Sequence, residues 1–206
     1  MGGRIKCFML EPTDRFERSL RRFQFSSDSA KCSMSWGYHN ASVVIDTIER
    51  PGFEYDGDGR HDWPHDDPRW PTHCECGYQF VDSDEWQVNT NRFYRSQDGT
   101  VDTPIRKAPP GAMWFSPFYD QLFVPQLEHC LVVMLPGGDH WIVDSQANNC
   151  TMQEDRRQEK HHCWVIRGTP PNLTVDKSAP TCAAGAGSIA APGYHGFLRN
   201  GYLEEC

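Results

Sequence analysis

The sequence has no long hydrophobic run. Its 206 residues are 38% hydrophobic and 23% charged, and no segment approaches the roughly 20 apolar residues that a membrane-spanning helix needs. The first residues also lack the features of a secretory signal peptide. We therefore expect a soluble protein that buries a core and works in the cytoplasm or in a virion, not a membrane or secreted protein.

Basic residues are scarce. Asp and Glu number 28 against 20 Lys and Arg, which gives a formal net charge of -8. Binding to a nucleic-acid duplex, or to an anionic membrane surface, needs clustered basic side chains. We expect neither partner. Arg15, Arg18, Arg21 and Arg22 form one local basic run, which is typical of a solvated helix face.

Cysteine, in contrast, is abundant. The number is odd, and the chain carries no export signal that would take it to an oxidising compartment. Such a set indicates metal ligands or buried thiols more than disulfides. The nine residues are Cys7, Cys32, Cys74, Cys76, Cys130, Cys150, Cys163, Cys182 and Cys206.

The segment His-Cys-Glu-Cys-Gly-Tyr at 73–78 resembles the tight turn of a zinc ribbon. Such a turn presents two ligands to one ion, and its glycine permits the chain reversal. The pair is Cys74 with Cys76, or His73 with Cys76. A closed tetrahedral site needs two more ligands, and buried free thiols or disulfides are the alternatives. The predicted zinc ligands are Cys32, His39, Cys74 and Cys76, with His73 as a substitute.

A second, weaker group of metal-binding residue types lies in the C-terminal half. Cys150, His162, Cys163 and Cys182 can supply four ligands for another zinc ion, and His161 lies beside them. A disulfide between Cys150 and Cys163, or between Cys163 and Cys182, is one alternative. Buried thiols beside exposed histidines are the other.

One catalytic alternative involves His129 and Asp144. The segment between them resembles the His and Asp strands of transglutaminase-like cysteine enzymes. A hairpin would bring the two residues together, so that Asp144 could orient the imidazole. The nucleophilic cysteine should precede a helix, whose dipole lowers the thiol pKa. Cys32 is the nearest fit to that requirement, so a transglutaminase- or papain-like hydrolase or acyl transferase is the alternative function.

The pattern predicts a helix over residues 14–25. Asp14 and Glu17 fit a capping box, and the apolar residues from Phe16 to Phe23 follow a helical spacing. Other segments alternate or are rich in β-branched residues, which favours strands. The predicted fold is therefore α+β, with an N-terminal helix, mainly short antiparallel strands and hairpins, and a stabilising zinc knuckle. The predicted strands are 4–10, 42–48, 86–94, 131–135 and 140–143.

The polar segment 96–112 predicts a weakly defined domain boundary. We divide the chain into an N-terminal α+β region at 1–107 with the Cys/His knuckle and a β-hairpin-rich region at 108–206, which together can form one domain. The clearest hairpin is the pair of strands around the Pro-Gly-Gly-Asp turn at 136–139.

Several short segments in the C-terminal two-thirds of the chain carry motifs similar to those of known sequences. They are Pro109–Trp114, Trp141–Ser145, Asn149–Thr151, His162–Val165, Leu173–Lys177, Thr181–Ile189 and Tyr194–Leu198. In these segments the chain resembles an uncharacterised family encoded by tailed bacteriophages and prophages. The resemblance implies a phage-encoded protein that acts in the bacterial host or in the virion. It implies no activity, fold or ligand.

The leading functional prediction is non-catalytic. A closed four-ligand metal site contributes folding free energy and needs no open coordination position. We therefore expect a zinc-stabilised phage accessory or structural protein that binds another protein, from the phage or the host. A Cys-His-Asp enzyme and a virion surface or tail component are the alternatives. The sequence predicts neither the partner nor the oligomeric state.

Overall fold

The chain forms two compact units. The structure, a computed structural model, describes residues 3–25, 32, 38–51, 64–177, 182 and 187–206. The N-terminal unit contains Pro12–Tyr94 and Asp102–Arg106, and the C-terminal unit contains Met1–Glu11, Arg95–Val101 and Lys107–Cys206. The first eleven residues thus belong to the C-terminal unit.

The described residues are dominated by β-strands. Their two helices are 3-10 helices of three and five residues, Ile105–Lys107 and Pro117–Gln121. Neither of these is long and apolar enough to cross a bilayer. The strands are β1 (Arg4–Lys6), β2 (Phe8–Gln24), β3 (His39–Glu49), β4 (Glu85–Ser96), β5 (Asp102–Pro104), β6 (Ala112–Phe115), β7 (Leu131–Met134), β8 (His140–Ile142), β9 (Val165–Thr169), β10 (Asn172–Asp176), β11 (Ile189–Ala191), β12 (Tyr194–Arg199) and β13 (Tyr202–Glu205).

The predicted N-terminal helix is wrong, and so is the α+β class that depends on it. Residues 14–24 lie in the 17-residue strand β2, which pairs antiparallel with β3 from Arg15↔Glu49 to Gln24↔His39. A bulge between Arg18 and Ser19 shifts the register, and this shift breaks the period-2 pattern that marks a strand in sequence. Pairing over the full length of β3 outweighs the weak local helix propensity.

The residues that suggested a helix cap and a solvated basic face form ion pairs within the N-terminal unit instead. Glu17 is 5% exposed and pairs with Arg106. Arg18 donates two hydrogen bonds to the carboxylate of Asp46, its register partner on β3. This contact raises the pKa of the Arg18 guanidinium and lowers the pKa of the Asp46 carboxyl. The basic run is therefore part of the sheet.

The N-terminal unit has a small apolar core. Strands β5, β4 and β2 are neighbours in that order, and β3 also pairs with β2. Leu20, Ile45 and Val88 are buried together, and Trp70 and Trp86 pack against them. A second buried group in the same unit contains Cys32, Cys74 and Phe80, and Cys76 and Tyr78 pack against it.

The C-terminal unit carries the larger core. One of its sheets has the order β1-β13-β12-β10-β9, with β11 also paired with β12 and every pair antiparallel. Strands β6, β7 and β8 form an antiparallel meander, and the start of β2 runs parallel to β6. All four residues of β7 are buried, whereas burial alternates along β10 and β12. The alternating strands thus turn one face to the core.

The predicted hairpin at 131–143 is confirmed. Strand β7 pairs with β8 from Val132↔Ile142 to Met134↔His140. The Leu135 N–H donates to the Asp139 carbonyl at 2.8 Å, which closes the turn. Gly138 has φ +84°, a conformation that glycine adopts at no steric cost.

Leu20 gives a direct test of the β2 assignment. The Leu20 side chain is fully buried. Val44, which follows the register partner of Leu20 (Val43) on β3, is 44% exposed. We expect Leu20→Ala to lower the free energy of unfolding by about 2–5 kcal/mol, because it leaves a cavity. The control Val44→Ala should cost about 1 kcal/mol or less. Urea denaturation followed by tryptophan fluorescence measures both, and equal costs would contradict the packing described.

Candidate metal centres

A tight turn presents Cys74 and Cys76 to the same side. The Cys74 N–H donates to the Tyr78 carbonyl at 2.8 Å, and the Gly77 N–H donates to the Cys74 carbonyl at 2.9 Å. Gly77 has φ +91°, which side-chain-bearing residues rarely adopt. The glycine after the second cysteine thus allows the chain to reverse immediately after the ligand pair.

This turn meets two more potential ligands inside the N-terminal unit. The ligand atoms of Cys32, His39, Cys74 and Cys76 all lie within 4.8 Å of one another; we name this set the N-terminal cluster. The Cys32 and Cys74 sulfurs are 3.7 Å apart, and His39 Nδ1 is 3.1 Å from the Cys76 sulfur. The four residues can hold a metal ion.

The spacing of the sulfurs fits a shared ion better than a covalent bond. Two thiolates bound tetrahedrally to zinc lie about 3.8 Å apart, and a thiolate and an imidazole nitrogen about 3.5 Å apart. A disulfide requires about 2.05 Å, and the cysteines of the cluster are free. The Cys32–Cys74 distance equals the tetrahedral edge to within about 0.1 Å. The His39–Cys76 distance is a hydrogen-bond length and must open by about 0.4 Å to admit an ion.

A stacked aromatic ring holds His39 in place. It is the first residue of β3 and is 4% exposed. The Tyr78 ring stacks on the imidazole with centroids 4.1 Å apart and planes 5° from parallel. Because this stack fixes the ring, Nδ1 stays directed at the Cys76 sulfur.

The thiols of the N-terminal cluster differ in acidity. Burial raises the pKa of Cys74, but hydrogen bonds from the backbone N–H groups of Cys76 and Asn40 outweigh burial and lower that pKa to about 7. A hydrogen bond from the Tyr78 N–H lowers the pKa of Cys76. Burial and the neighbouring thiols outweigh this bond, so the pKa of Cys76 lies above its usual value. Adjacent thiolates repel one another, and a bound cation removes that penalty.

His73, the substitute ligand in the sequence analysis, does not join the N-terminal cluster. Its side chain is exposed, and its Nδ1 lies 3.0 Å from the Thr72 hydroxyl. Cys74 and Cys76, two positions apart, take the two places in the turn.

The C-terminal unit contains a second set with the same composition. The ligand atoms of Cys150, His161, Cys163 and Cys182 lie within 4.8 Å of one another; we name this set the C-terminal cluster. His161 Nε2 is 3.2 Å from the Cys150 sulfur and 3.4 Å from the Cys163 sulfur. The Cys163 and Cys182 sulfurs are 3.8 Å apart. The distances of 3.4 and 3.8 Å match the tetrahedral edges, the distance of 3.2 Å must open by about 0.3 Å to admit an ion, and none is a disulfide length.

The histidine of this cluster is His161, whereas His162 was the predicted ligand. His161 and Cys163, two positions apart, both direct a ligand atom into the C-terminal cluster, as Cys74 and Cys76 do in the N-terminal cluster. His162 lies near Asp144, whose carboxyl pKa is raised by burial, a rise that His162 only partly opposes. Both clusters contain two ligands separated by a single residue. This spacing is the sequence signal that identifies His161.

A buried carboxylate orients His161. Asp155 Oδ2 lies 2.9 Å from His161 Nδ1, and the two side chains are 6% and 3% exposed. The backbone N–H groups of Glu159 and Lys160 each donate to the same carboxylate at 2.9 Å. A carboxylate on the outer nitrogen of a metal-binding histidine fixes the tautomer and increases ligand basicity. Asp155 was not predicted from the sequence, because nothing in its spacing distinguishes it from other acidic residues.

Cys163 lies at the centre of the C-terminal cluster. Burial raises the pKa of its thiol to about 12, although a backbone hydrogen bond from Ala147 opposes the rise and the thiols of Cys150 and Cys182 add to it. A thiolate at this position therefore requires a compensating positive charge, which a divalent cation supplies. The Met152 N–H also donates to the Cys150 sulfur at 3.3 Å.

The structure does not bring His129 and Asp144 together as the predicted Cys-His-Asp site requires. His129 Nδ1 contacts Asp120 at 2.6 Å, while Asp144 accepts hydrogen bonds from the backbone and side chain of Gln126. Cys32, the suggested nucleophile, lies in the N-terminal cluster. Cys130 is next to His129, but burial and the nearby carboxylates of Asp144 and Asp120 raise its thiol pKa to about 12, which opposes thiolate formation.

No family model, curated protein or solved structure matches the chain. The resemblance to the phage-encoded family therefore stays a prediction. The two clusters are interpreted from their own chemistry.

The role of Asp155 can be measured separately from that of the ligands. We expect Asp155→Asn to weaken metal binding at the C-terminal cluster about 10- to 100-fold, because the amide cannot support His161 as a charged acceptor does. Competition with a chromogenic chelator measures the affinity. The exposed carboxylate Asp139 provides the control variant Asp139→Asn, which should bind like the parent. Unchanged affinity in Asp155→Asn would contradict the role assigned to it.

Proposed function

We propose that the protein is a non-catalytic binding protein built on two structural zinc ions, one in each unit. The observation that carries this proposal is the convergence of three cysteines and one histidine in each cluster, with all ligand atoms within 4.8 Å of one another. Two separate sets of the same composition in one chain support the same structural role for both clusters.

The donor atoms favour zinc over other common metals. Thiolate and imidazole ligands suit zinc, whereas calcium and magnesium select carboxylate, carbonyl and water oxygens. Each cluster offers three sulfurs and one nitrogen, which is a composition typical of structural zinc sites. The sulfur–sulfur distances of 3.7 and 3.8 Å support a tetrahedral arrangement.

The number and burial of the ligands favour a structural role. A catalytic zinc site keeps three protein ligands and leaves one position for water or substrate, whereas a structural site fills all four. Three of the four residues in each cluster are buried, and Cys76 and Cys182 are half-buried. An ion held this way has no position left for a substrate.

Zinc would stabilise each unit by joining distant segments. In the N-terminal cluster Cys32 and Cys74 are 42 positions apart. Binding to such ligands adds its free energy to folding, which in zinc-finger peptides amounts to about 10–16 kcal/mol at pH 7. The buried group formed by Cys32, Cys74 and Phe80 is small, so the ion is the main cross-link of that part of the unit.

We further propose that the protein acts by contacting another protein, as a phage accessory or structural component in the host cell or the virion. The resemblance of several segments to the phage-encoded family supports this setting. Phe118 and Leu122, four positions apart, are 59% and 50% exposed, and they offer apolar surface to a partner.

Metal stoichiometry tests the proposal. We expect elemental analysis of the purified chain to find about two zinc ions per molecule. Cys76→Ser and Cys182→Ser, which change the least buried cysteine of each cluster, should each leave about one. Cys206→Ser, at an exposed cysteine outside both clusters, should leave two. A metal-free parent protein with paired sulfurs would contradict the proposal.

The same preparations separate the structural role from the enzyme alternative. With zinc bound, iodoacetamide should label Cys206 rapidly and the six cluster cysteines slowly, because coordinated and buried thiolates are protected. Addition of a chelator should expose those six residues. Rapid labelling of Cys32 in the zinc-loaded protein would indicate a free nucleophile and favour the enzyme.

A further inference from the structure

The C-terminal unit contains a cavity that neither metal cluster uses. Its volume is about 330 Å³, which lies at the lower end of the range for small-molecule sites. The wall is formed by Trp141, Trp164, Lys177 and the segment from Ser145 to Asn149, together with Ser188 and Ala190.

Two hydrogen-bond donors on this wall have no acceptor among the described residues. They are the Lys177 ammonium and the Trp164 indole N–H, and both atoms are buried. A buried donor without a partner destabilises the fold, and a charged one does so more strongly. The Lys177 nitrogen lies over the Trp164 ring, 5.0 Å from its centroid, so the two donors are neighbours on the wall. The cavity therefore lacks an acceptor that a ligand could supply.

The charge of the wall selects an anion. Lys177 is its one charged member, and none of the described lining residues is acidic, although the chain as a whole carries a net charge of -8. The adjacent carboxylate of Asp176 accepts a hydrogen bond from the Lys177 backbone N–H at 2.8 Å and does not line the cavity. A ligand carboxylate is the complementary group for the ammonium and the indole N–H.

The rest of the wall suits a ligand with several hydroxyl groups. The Trp141 and Trp164 rings meet at 85° with centroids 5.2 Å apart, so they offer two aromatic walls. Amide and hydroxyl side chains, such as Gln146, Asn148 and Ser188, provide donors and acceptors around them. The wall thus combines apolar ring faces with hydrogen-bonding side chains.

We propose that this cavity binds a small hydroxylated carboxylate of the sugar-acid class. The carboxylate accepts hydrogen bonds from Lys177 and Trp164, and the hydroxyl-bearing body lies against the tryptophans and the amides. This activity goes beyond the structural zinc ions. The C-terminal cluster affects it indirectly, because Asn149 and Trp164 are next to Cys150 and Cys163 in sequence.

Isothermal titration calorimetry of the full, zinc-loaded chain tests the proposal. The titrants are D-glucuronate, neutral D-glucose and inorganic phosphate. We expect saturable binding of glucuronate and at least tenfold weaker binding of both other compounds, because glucose lacks the charge and phosphate lacks the hydroxylated body. No glucuronate binding at millimolar concentration would overturn the proposal, as would equal binding of glucose or phosphate.

Variants of Lys177 test the assigned contact. Lys177→Gln should weaken glucuronate binding at least tenfold, and Lys177→Arg should restore most of it, because arginine keeps the charge. Lys6→Gln, which removes an exposed lysine of the same unit, should bind like the parent. Zinc content and thermal unfolding of each variant verify its fold, so a loss of the cavity's function is distinguished from a loss of the zinc sites. Equal affinity of Lys177→Gln and the parent would overturn the proposal.

Discussion

The attraction between closely spaced thiolates and a divalent cation is the interaction on which the two proposed metal centres depend. Each cluster brings three sulfurs and one imidazole nitrogen within 4.8 Å of one another. Without a cation, the neighbouring thiolates repel one another and burial opposes their ionisation, as the raised pKa of Cys163 indicates. With a cation, the same burial strengthens the attraction. A bound metal ion would therefore stabilise the arrangement.

The two units repeat one plan with different supports. Each cluster combines a pair of ligands two positions apart with two ligands from elsewhere in its unit. In the N-terminal cluster a stacked tyrosine orients the histidine, whereas in the C-terminal cluster a buried aspartate does so. The C-terminal unit has the larger apolar core and a cavity close to its cluster, so we assign ligand binding to that unit.

Local signals in the sequence predicted what local geometry determines. Cys74, Cys76 and the following glycine form the turn that their spacing suggested, and the β7–β8 hairpin follows from its Pro-Gly-Gly-Asp turn. Long-range pairing was harder to predict. Residues 14–24 have a helical spacing of apolar side chains, but β3 and the bulge at Arg18 decide their conformation. Asp155 was missed because its role depends on its position beside His161 in the folded chain.

X-ray absorption at the zinc edge tests the central claim most directly. We predict an average first shell of about three sulfurs at 2.3 Å and one nitrogen at 2.0 Å per zinc ion, since both clusters have the same composition. An oxygen-dominated shell, or a shell with fewer than three sulfurs per ion, would contradict the assignment of two closed cysteine–histidine centres.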